Sequence, residues 1–213
     1  MNKNLLKRIV LTSAIAVLGV STSFAALVME RDQSVDTAPS VGMYRFEVPV
    51  ELQGTYNSAG VANLTASMEK EPNTLSMNVA HVKGNPSESY VVEIYKDLAA
   101  IETHRKSDHY QAFVNEVGSK LTNRKMYDVQ SVLLFEKKDA LSIVNDGKAV
   151  VTLTEFTVDS NEIDTVQRQY QLDMERAVRD DVGYKAGYVL RERNAKNRWY
   201  IIQIYSNQEA LTK

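Results

Sequence analysis

Three histidines, His81, His104 and His109, are the side chains of this 213-residue chain best suited to take a proton near neutral pH. Such a base can deprotonate a weakly acidic hydroxyl if an apolar pocket holds the substrate against it. The spacing of the three suggests no metal site, and no pair of carboxylates stands out as an acid/base dyad. With no cysteine in the chain, a thiolate nucleophile, a disulfide framework and a Cys-ligated metal are all excluded. No P-loop or GxGxxG pattern occurs. Each histidine also has a structural reading: His104 and His109 fall where helices meet and would serve there by bonding backbone, and His81 stands at a strand end. Phe46, Tyr95 and Phe113 are expected to point into the interior of the same module, as pocket walls or simply as core. Trp199, Tyr200 and Tyr205, further along, allow the same two readings.

Positioning these residues requires a recognisable run of elements. Tyr44, Phe46 and Val48 alternate with Arg45 and Glu47 in a strand over 43–48. A helix opens at Pro49-Val50-Glu51, with Tyr56, Gly60, Leu64 and Met68 on one face, and Glu71-Pro72-Asn73 stops it. Asn63-Leu64-Thr65 matches a glycosylation sequon but lies inside that helix, which argues against its use. Two strands follow, one through Leu75, Met77 and Val79 and one from Tyr90 to Tyr95, joined by a turn at Gly84-Asn85-Pro86. Asp97 and Ser107 read as N-caps of a short helix and of a longer one. Tyr110, Phe113, Val114, Val117 and Leu121 give the longer helix its apolar stripe. A last apolar strand runs from Val129 to Phe135. The order β-α-β-β-α-β is that of an α+β, ferredoxin-like module.

The chain repeats itself at an offset of 110 residues. Phe46, Val48, Thr55, Val79, Tyr90, Ile94, Tyr95 and Ala100 fall on Phe156, Val158, Thr165, Val189, Tyr200, Ile204, Tyr205 and Ala210. Val166, Tyr170, Met174 and Val178 repeat the helical face. Counterparts of His104 to Phe135 would lie beyond Lys213, so the second copy reads as incomplete, with an unpaired sheet edge. Residues 42–136 thus form one module, 137–147 a connector with an Asn145-Asp146-Gly147 turn, and 148–213 the partial copy.

The first 25 residues carry the three-part pattern of an export signal: Lys3, Lys7 and Arg8, an apolar stretch from Ile9 to Val20, and small residues up to a cut after Ala25. Residues 26–41 read as a polar tether. The expected location is periplasmic or secreted, without membrane attachment once the signal is gone. Removing three basic residues takes the net charge from −2 to −5, which offers nucleic acid and anionic lipid no electrostatic footing.

The turn Glu71-Pro72-Asn73-Thr74-Leu75, the strand end Glu93-Ile94-Tyr95-Lys96-Asp97 and the helix start His104-Arg105-Lys106-Ser107-Asp108-His109-Tyr110-Gln111-Ala112-Phe113 resemble, in order and spacing, the antibiotic biosynthesis monooxygenase family, which includes small quinol monooxygenases. The resemblance covers about residues 42–136 and extends more weakly over 148–213, where Asp181-Val182-Gly183 replaces the turn and the histidine segment is absent. It implies ferredoxin-like modules of the dimeric α/β-barrel superfamily, paired here as an intramolecular pseudo-dimer or as a homodimer. It also implies oxidation of a quinol or phenolic aromatic by O₂ with no cofactor and no metal. His104 and His109 would be catalytic, and Phe46, Tyr95 and Phe113 would bind the substrate. A non-catalytic module of the same fold, for ligand binding or assembly, is the alternative. Haem-degrading relatives place a histidine near Val114 and a tryptophan near His104, and neither is present.

Overall fold

The structure, a computed structural model, describes residues 7–18, 39–137, 143–144 and 148–212. The elements in chain order are β1 (Lys7–Leu18), β2 (Ser40–Glu47), α1 (Gln53–Lys70), β3 (Thr74–Val82), β4 (Asn85–Tyr95), α2 (Leu98–Lys106) and α3 (Asp108–Glu116). They continue with β5 (Thr122–Tyr127), β6 (Val129–Glu136), β7 (Ile143–Val144), β8 (Val150–Thr157), α4 (Ile163–Asp180), β9 (Tyr184–Glu192), β10 (Arg198–Tyr205) and α5 (Gln208–Leu211).

Two antiparallel four-stranded sheets result, ordered β5-β2-β4-β3 and β8-β10-β9-β6, with β1 between β3 and β8. Side-chain alternation gives each sheet two apolar faces. Tyr90, Val92 and Ile94 of β4 and Tyr200, Ile202 and Ile204 of β10 enter one core shared by both sheets. On the opposite face, Val91 and Tyr95 pack with Tyr56 and Leu64 of α1, and in the second copy Trp199 and Ile201 pack with Met174 of α4. The sheets therefore meet face to face and carry their helices outside, as expected for a pair of ferredoxin-like modules.

The 110-residue repeat holds in the strand register. Met43 pairs with Val92 as Leu153 does with Ile202, and Val79 pairs with Val91 as Val189 does with Ile201. Even a cap recurs: Asp97 accepts from the Ala100 amide at 2.9 Å, and Asn207 accepts from the Ala210 amide at 2.9 Å.

Several expectations need correction. The turn before β4 is Lys83-Gly84, with Gly84 at φ +80, so Asn85 and Pro86 open the strand instead of forming the turn. The helix of Tyr110 ends at Glu116, and a 3₁₀ turn over Gly118–Lys120 precedes Leu121. The last strand stands, as β6, but it crosses to β9 of the other module, and an unexpected strand before it, β5, pairs with β2 of its own module. The exposed run Thr122 to Lys125 lacks the apolar alternation that would mark β5. The edge expected to stand open in the second copy is paired, because β8 lies against β1. The Asn145-Asp146-Gly147 turn lies outside the described residues, as do all but one residue of the tether before Ser40. Among the described residues no helix is long and apolar enough to cross a membrane.

Candidate active site

The stop signal after α1 places a carboxylate where three elements meet. Glu71 is the residue that ends α1, its amide donating to Ser67 O at 2.9 Å. Its side chain is buried and accepts from Thr74 Oγ1 at 2.6 Å, from His104 Nδ1 at 3.1 and 3.2 Å, and from His109 Nε2 at 2.6 Å. Ser107 caps α3 through its Oγ at 3.3 Å from the Tyr110 amide, and the same Oγ lies 3.0 Å from His109 Nε2. The joint between α2 and α3 is thereby held to the end of α1. Burial opposes charge on Glu71, but the bonds from Thr74 and the two imidazoles prevail and keep its carboxyl below the usual range.

An ionised carboxylate only accepts, so the Glu71 contact assigns the proton of His104 to Nδ1 and leaves the lone pair on Nε2. That Nε2 is buried and has no hydrogen-bond partner. Burial lowers the pKa of His104, and Glu71 only partly restores it, so the ring is neutral and basic at pH 7. His104 is only 1% exposed, yet it lines a cavity of about 150 Å³ between α1, the sheet and α2–α3.

Phe46, Tyr56, Leu64, Val79 and Phe113 form the apolar part of that cavity. Asn63, Glu93, Tyr95, Arg105 and Tyr110 form its polar part. Asn63 is buried, which removes the sequon from the surface, and its Oδ1 is a second polar atom without a partner. Glu93 accepts from Tyr95 Oη at 3.0 Å. Desolvation pushes the Glu93 carboxyl up to about 7, enough to hold a proton near neutrality, and it drives the Tyr95 phenol well up as well. The site thus has a base at one place and a carboxylic acid at another, both facing one small aromatic chamber.

The residues singled out from sequence do not all occupy one place. Phe46, Tyr95, Phe113 and His104 line the cavity, whereas His109 belongs to the Glu71 cluster and is not among the lining residues. His81 lies elsewhere, its Nε2 3.0 Å from Asn57 Oδ1. Glu71, Glu93 and Asn63 were not legible as site residues. Glu71 belonged to a recognised turn but read only as a helix stop, and Glu93 stood as one acidic residue in a strand. The histidine spacing, which suggested no metal, also needs amending. Folding gathers ligand atoms of Glu71, His104 and His109 within 4.8 Å of one another, close enough to share a cation. The same atoms bond one another directly, so a network of protons accounts for the cluster equally well.

Among the described residues, the second copy replaces three parts of this site. Asp181 stands at the place of Glu71 and accepts from the Gly183 amide at 2.8 Å, Gln203 stands for Glu93, and Tyr170 stands for Gly60. Tyr170 packs on Phe156 with ring centroids 5.7 Å apart, whereas the glycine leaves open space toward the first-copy cavity.

Residues 41–116, which contain every part of this site, match the model of the antibiotic biosynthesis monooxygenase family. That segment is an antibiotic biosynthesis monooxygenase domain. A likeness of fold that extends from this domain into the second copy is shared with two solved bacterial proteins. One, from Lactobacillus acidophilus, is described as a candidate monooxygenase; it is 19% identical with a TM-score of 0.74, and the likeness covers 82% of this chain and 80% of that one. The other, from Fusobacterium nucleatum and described in the same terms, is 22% identical with a TM-score of 0.68, over 83% of this chain and 79% of that one. At these identities the likeness establishes the tandem fold alone. No curated protein matches the chain.

Proposed function

We propose that the chain is an exported, cofactor-independent monooxygenase that oxidises a single-ring quinol or phenol with O₂. The observation that carries the reading is the Glu71–His104 pair: a neutral histidine, oriented by a buried carboxylate, with an unpartnered Nε2 on a residue lining an aromatic cavity. The size of the cavity favours one ring. A space of roughly 150 Å³ is what benzene fills in an engineered apolar core, and a fused three-ring substrate would need the walls to move.

The chemistry runs on the substrate's own electrons. His104 Nε2 takes the proton of a ring hydroxyl, and the phenolate passes one electron to O₂. Superoxide and the semiquinone combine at the neighbouring ring carbon to form a C–O bond. Loss of that carbon's proton and cleavage of the O–O bond leave a carbonyl, and the departing hydroxide takes a proton from Glu93 to become water. For hydroquinone the balance is C₆H₆O₂ + O₂ giving C₆H₄O₃ and H₂O. Asn63 Oδ1 is the natural acceptor for a second hydroxyl. Phe46, Tyr95 and Phe113 hold the ring and help to exclude water from the charged intermediates.

The apolar lining also suits a binding module that does no chemistry, and one experiment separates the two. O₂ consumption is followed with a panel of hydroquinones and substituted phenols, alongside ligand-induced thermal shifts. Turnover that His104→Ala abolishes supports the enzyme, whereas thermal shifts without any O₂ uptake across the panel replace it with the binding reading.

A further inference from the structure

The strand β1 sits where the repeat demands a strand that does not follow α5 among the described residues. In the first copy, β5 and β6 run almost continuously; β5 pairs with β2, and β6 crosses to β9. The 110-residue offset turns β2 into β8 and β9 into β3. The last strand of a complete second copy would therefore pair first with β8 and then with β3. The strand β1 pairs with β8 over Lys7 to Thr12 and with β3 over Leu11 to Leu18.

The correspondence is residue by residue. Lys125 pairs with Arg45, and Lys7 pairs with its counterpart Glu155. Tyr127 pairs with Met43, and Ile9 with Leu153. Val129 pairs with Glu192, and Leu11 with Val82. Leu133, Leu134, Phe135 and Glu136 meet Val189, Tyr188, Gly187 and Ala186, while Ile15, Ala16, Val17 and Leu18 meet Val79, Asn78, Met77 and Ser76. Each match has the same separation, 125 − 7 = 136 − 18 = 118. The register breaks in the same place too, between Ser131 and Leu133 in one strand and between Thr12 and Ile15 in the other. Tyr127, Val129, Leu133 and Phe135 are buried, and the residues at the matching places are Ile9, Leu11, Ile15 and Val17. A one-residue slip would reverse every side chain, so agreement of register and apolar pattern is a demanding coincidence.

We propose that the gap between β3 and β8 is an acceptor site for one antiparallel strand of the 125–136 type, and that residues 7–18 of the same chain are its guest. The N-terminal segment thus occupies the place that the repeat gives to the last strand of the second copy. Residues 9–18 of the apolar stretch that reads as an export signal lie, in the folded chain, in a central strand with ladders on both sides. They cannot be in a translocation channel and in the sheet at once. Export would then act on the unfolded chain, and a cut after Ala25 would open the edges of β3 and β8 together, leaving two rows of unpaired backbone groups.

Hydrogen exchange on the full-length chain, kept in the cytosol and verified by intact mass, tests this. Amides of residues 9–18, 76–82 and 150–155 are expected to be protected. Thr12→Pro, which breaks both ladders at a doubly paired position, should speed exchange in all three segments about a hundredfold or more. Replacing residues 7–18 by a copy of residues 125–136 should keep them protected. Three results would overturn the proposal: rapid exchange of residues 9–18 in the unaltered chain, indifference of β3 and β8 to Thr12→Pro, or a folded chain beginning at Ala26 with those two edges equally protected. If the graft behaves like Thr12→Pro, the equivalence with 125–136 falls with it.

Discussion

His104 Nδ1 lies 3.1 Å from Glu71 Oε1, and this bond, between residues 33 positions apart, leaves the ring's other nitrogen buried and without a hydrogen-bond partner. The carboxylate fixes the tautomer and sustains the basicity that burial removes from the ring. In the proposed reaction Glu71 is a positioning residue, because it does not line the cavity and would act through His104. Glu71→Gln is expected to lower kcat about a hundredfold. It should also shift the acid limb of the rate profile to lower pH, since the charge on Glu71 is what raises the His104 pKa. A Glu71 that served only to hold helices together would reduce stability and leave that limb in place. Rate profiles of the variant and the parent between pH 4 and 8, at about matched folded fractions, distinguish the two roles.

In the proposed reaction, opposite pKa shifts at His104 and Glu93 predict a bell-shaped pH dependence. With His104 as the neutral base, the rate should rise as pH passes its lowered pKa, below 6.5. With Glu93 as the acid, the rate should fall above about 7, where it loses its proton. Glu93→Gln should therefore lower the rate and abolish the alkaline limb. Stability moves the other way. The folded chain holds a proton on Glu93 that the unfolded chain releases near 4.5, so this group's contribution declines as pH rises from 4.5 to about 7. Glu93→Gln should accordingly raise stability at pH 8, by at most roughly 3 kcal/mol. Urea melts at pH 5 and pH 8 measure the difference. The neutral Gln203 at the same place in the second copy avoids this cost.

The Glu71, His104 and His109 cluster makes a divalent cation the one serious competitor to the proton network. If protons hold the cluster, exhaustive chelation leaves turnover unchanged, and added Zn²⁺ inhibits by displacing the proton on Nδ1 of His104. If a metal is required, chelation abolishes turnover and Fe²⁺ or another cation restores it. Metal content and activity before and after chelation decide the matter.

Much of the fold was legible because it rests on period and repetition. The alternation in β2 and β4, the stop at Glu71 and the caps at Asp97 and Ser107 are local signals, and the 110-residue repeat carried them into the second copy. What escaped was non-local. Exposed Thr122 to Lys125 form β5 through pairing with β2, not through apolar alternation. The partner of β6 belongs to another module, and the guest between β3 and β8 comes from the far end of the chain. The site divides the same way. Phe46, Tyr95, Phe113 and His104 come together on the cavity, but Glu71 gains meaning only when the turn brings it under His104, and Glu93 only when burial holds a proton on it.

The contrast between copies yields a direct test of the cavity. Gly60 lines it on α1, a Cβ there would meet nothing within 4 Å, and the matching residue of the second copy, Tyr170, packs on Phe156. Gly60→Tyr should therefore place a ring beside Phe46 as Tyr170 stands beside Phe156, filling the chamber without a backbone clash. Replacing a mid-helix glycine also favours the helix by up to about 1 kcal/mol, and filling apolar space adds to that gain. The expected variant melts at a higher temperature than the parent, binds no single-ring phenol and consumes no O₂. Gly60→Ala serves as the control, with a similar helix gain, the chamber nearly intact and most of the activity retained. Substrate turnover by Gly60→Tyr at parental KM would show that the reaction occurs elsewhere, and the polar recess around Arg45, Tyr127 and Tyr200 would be the next place to look.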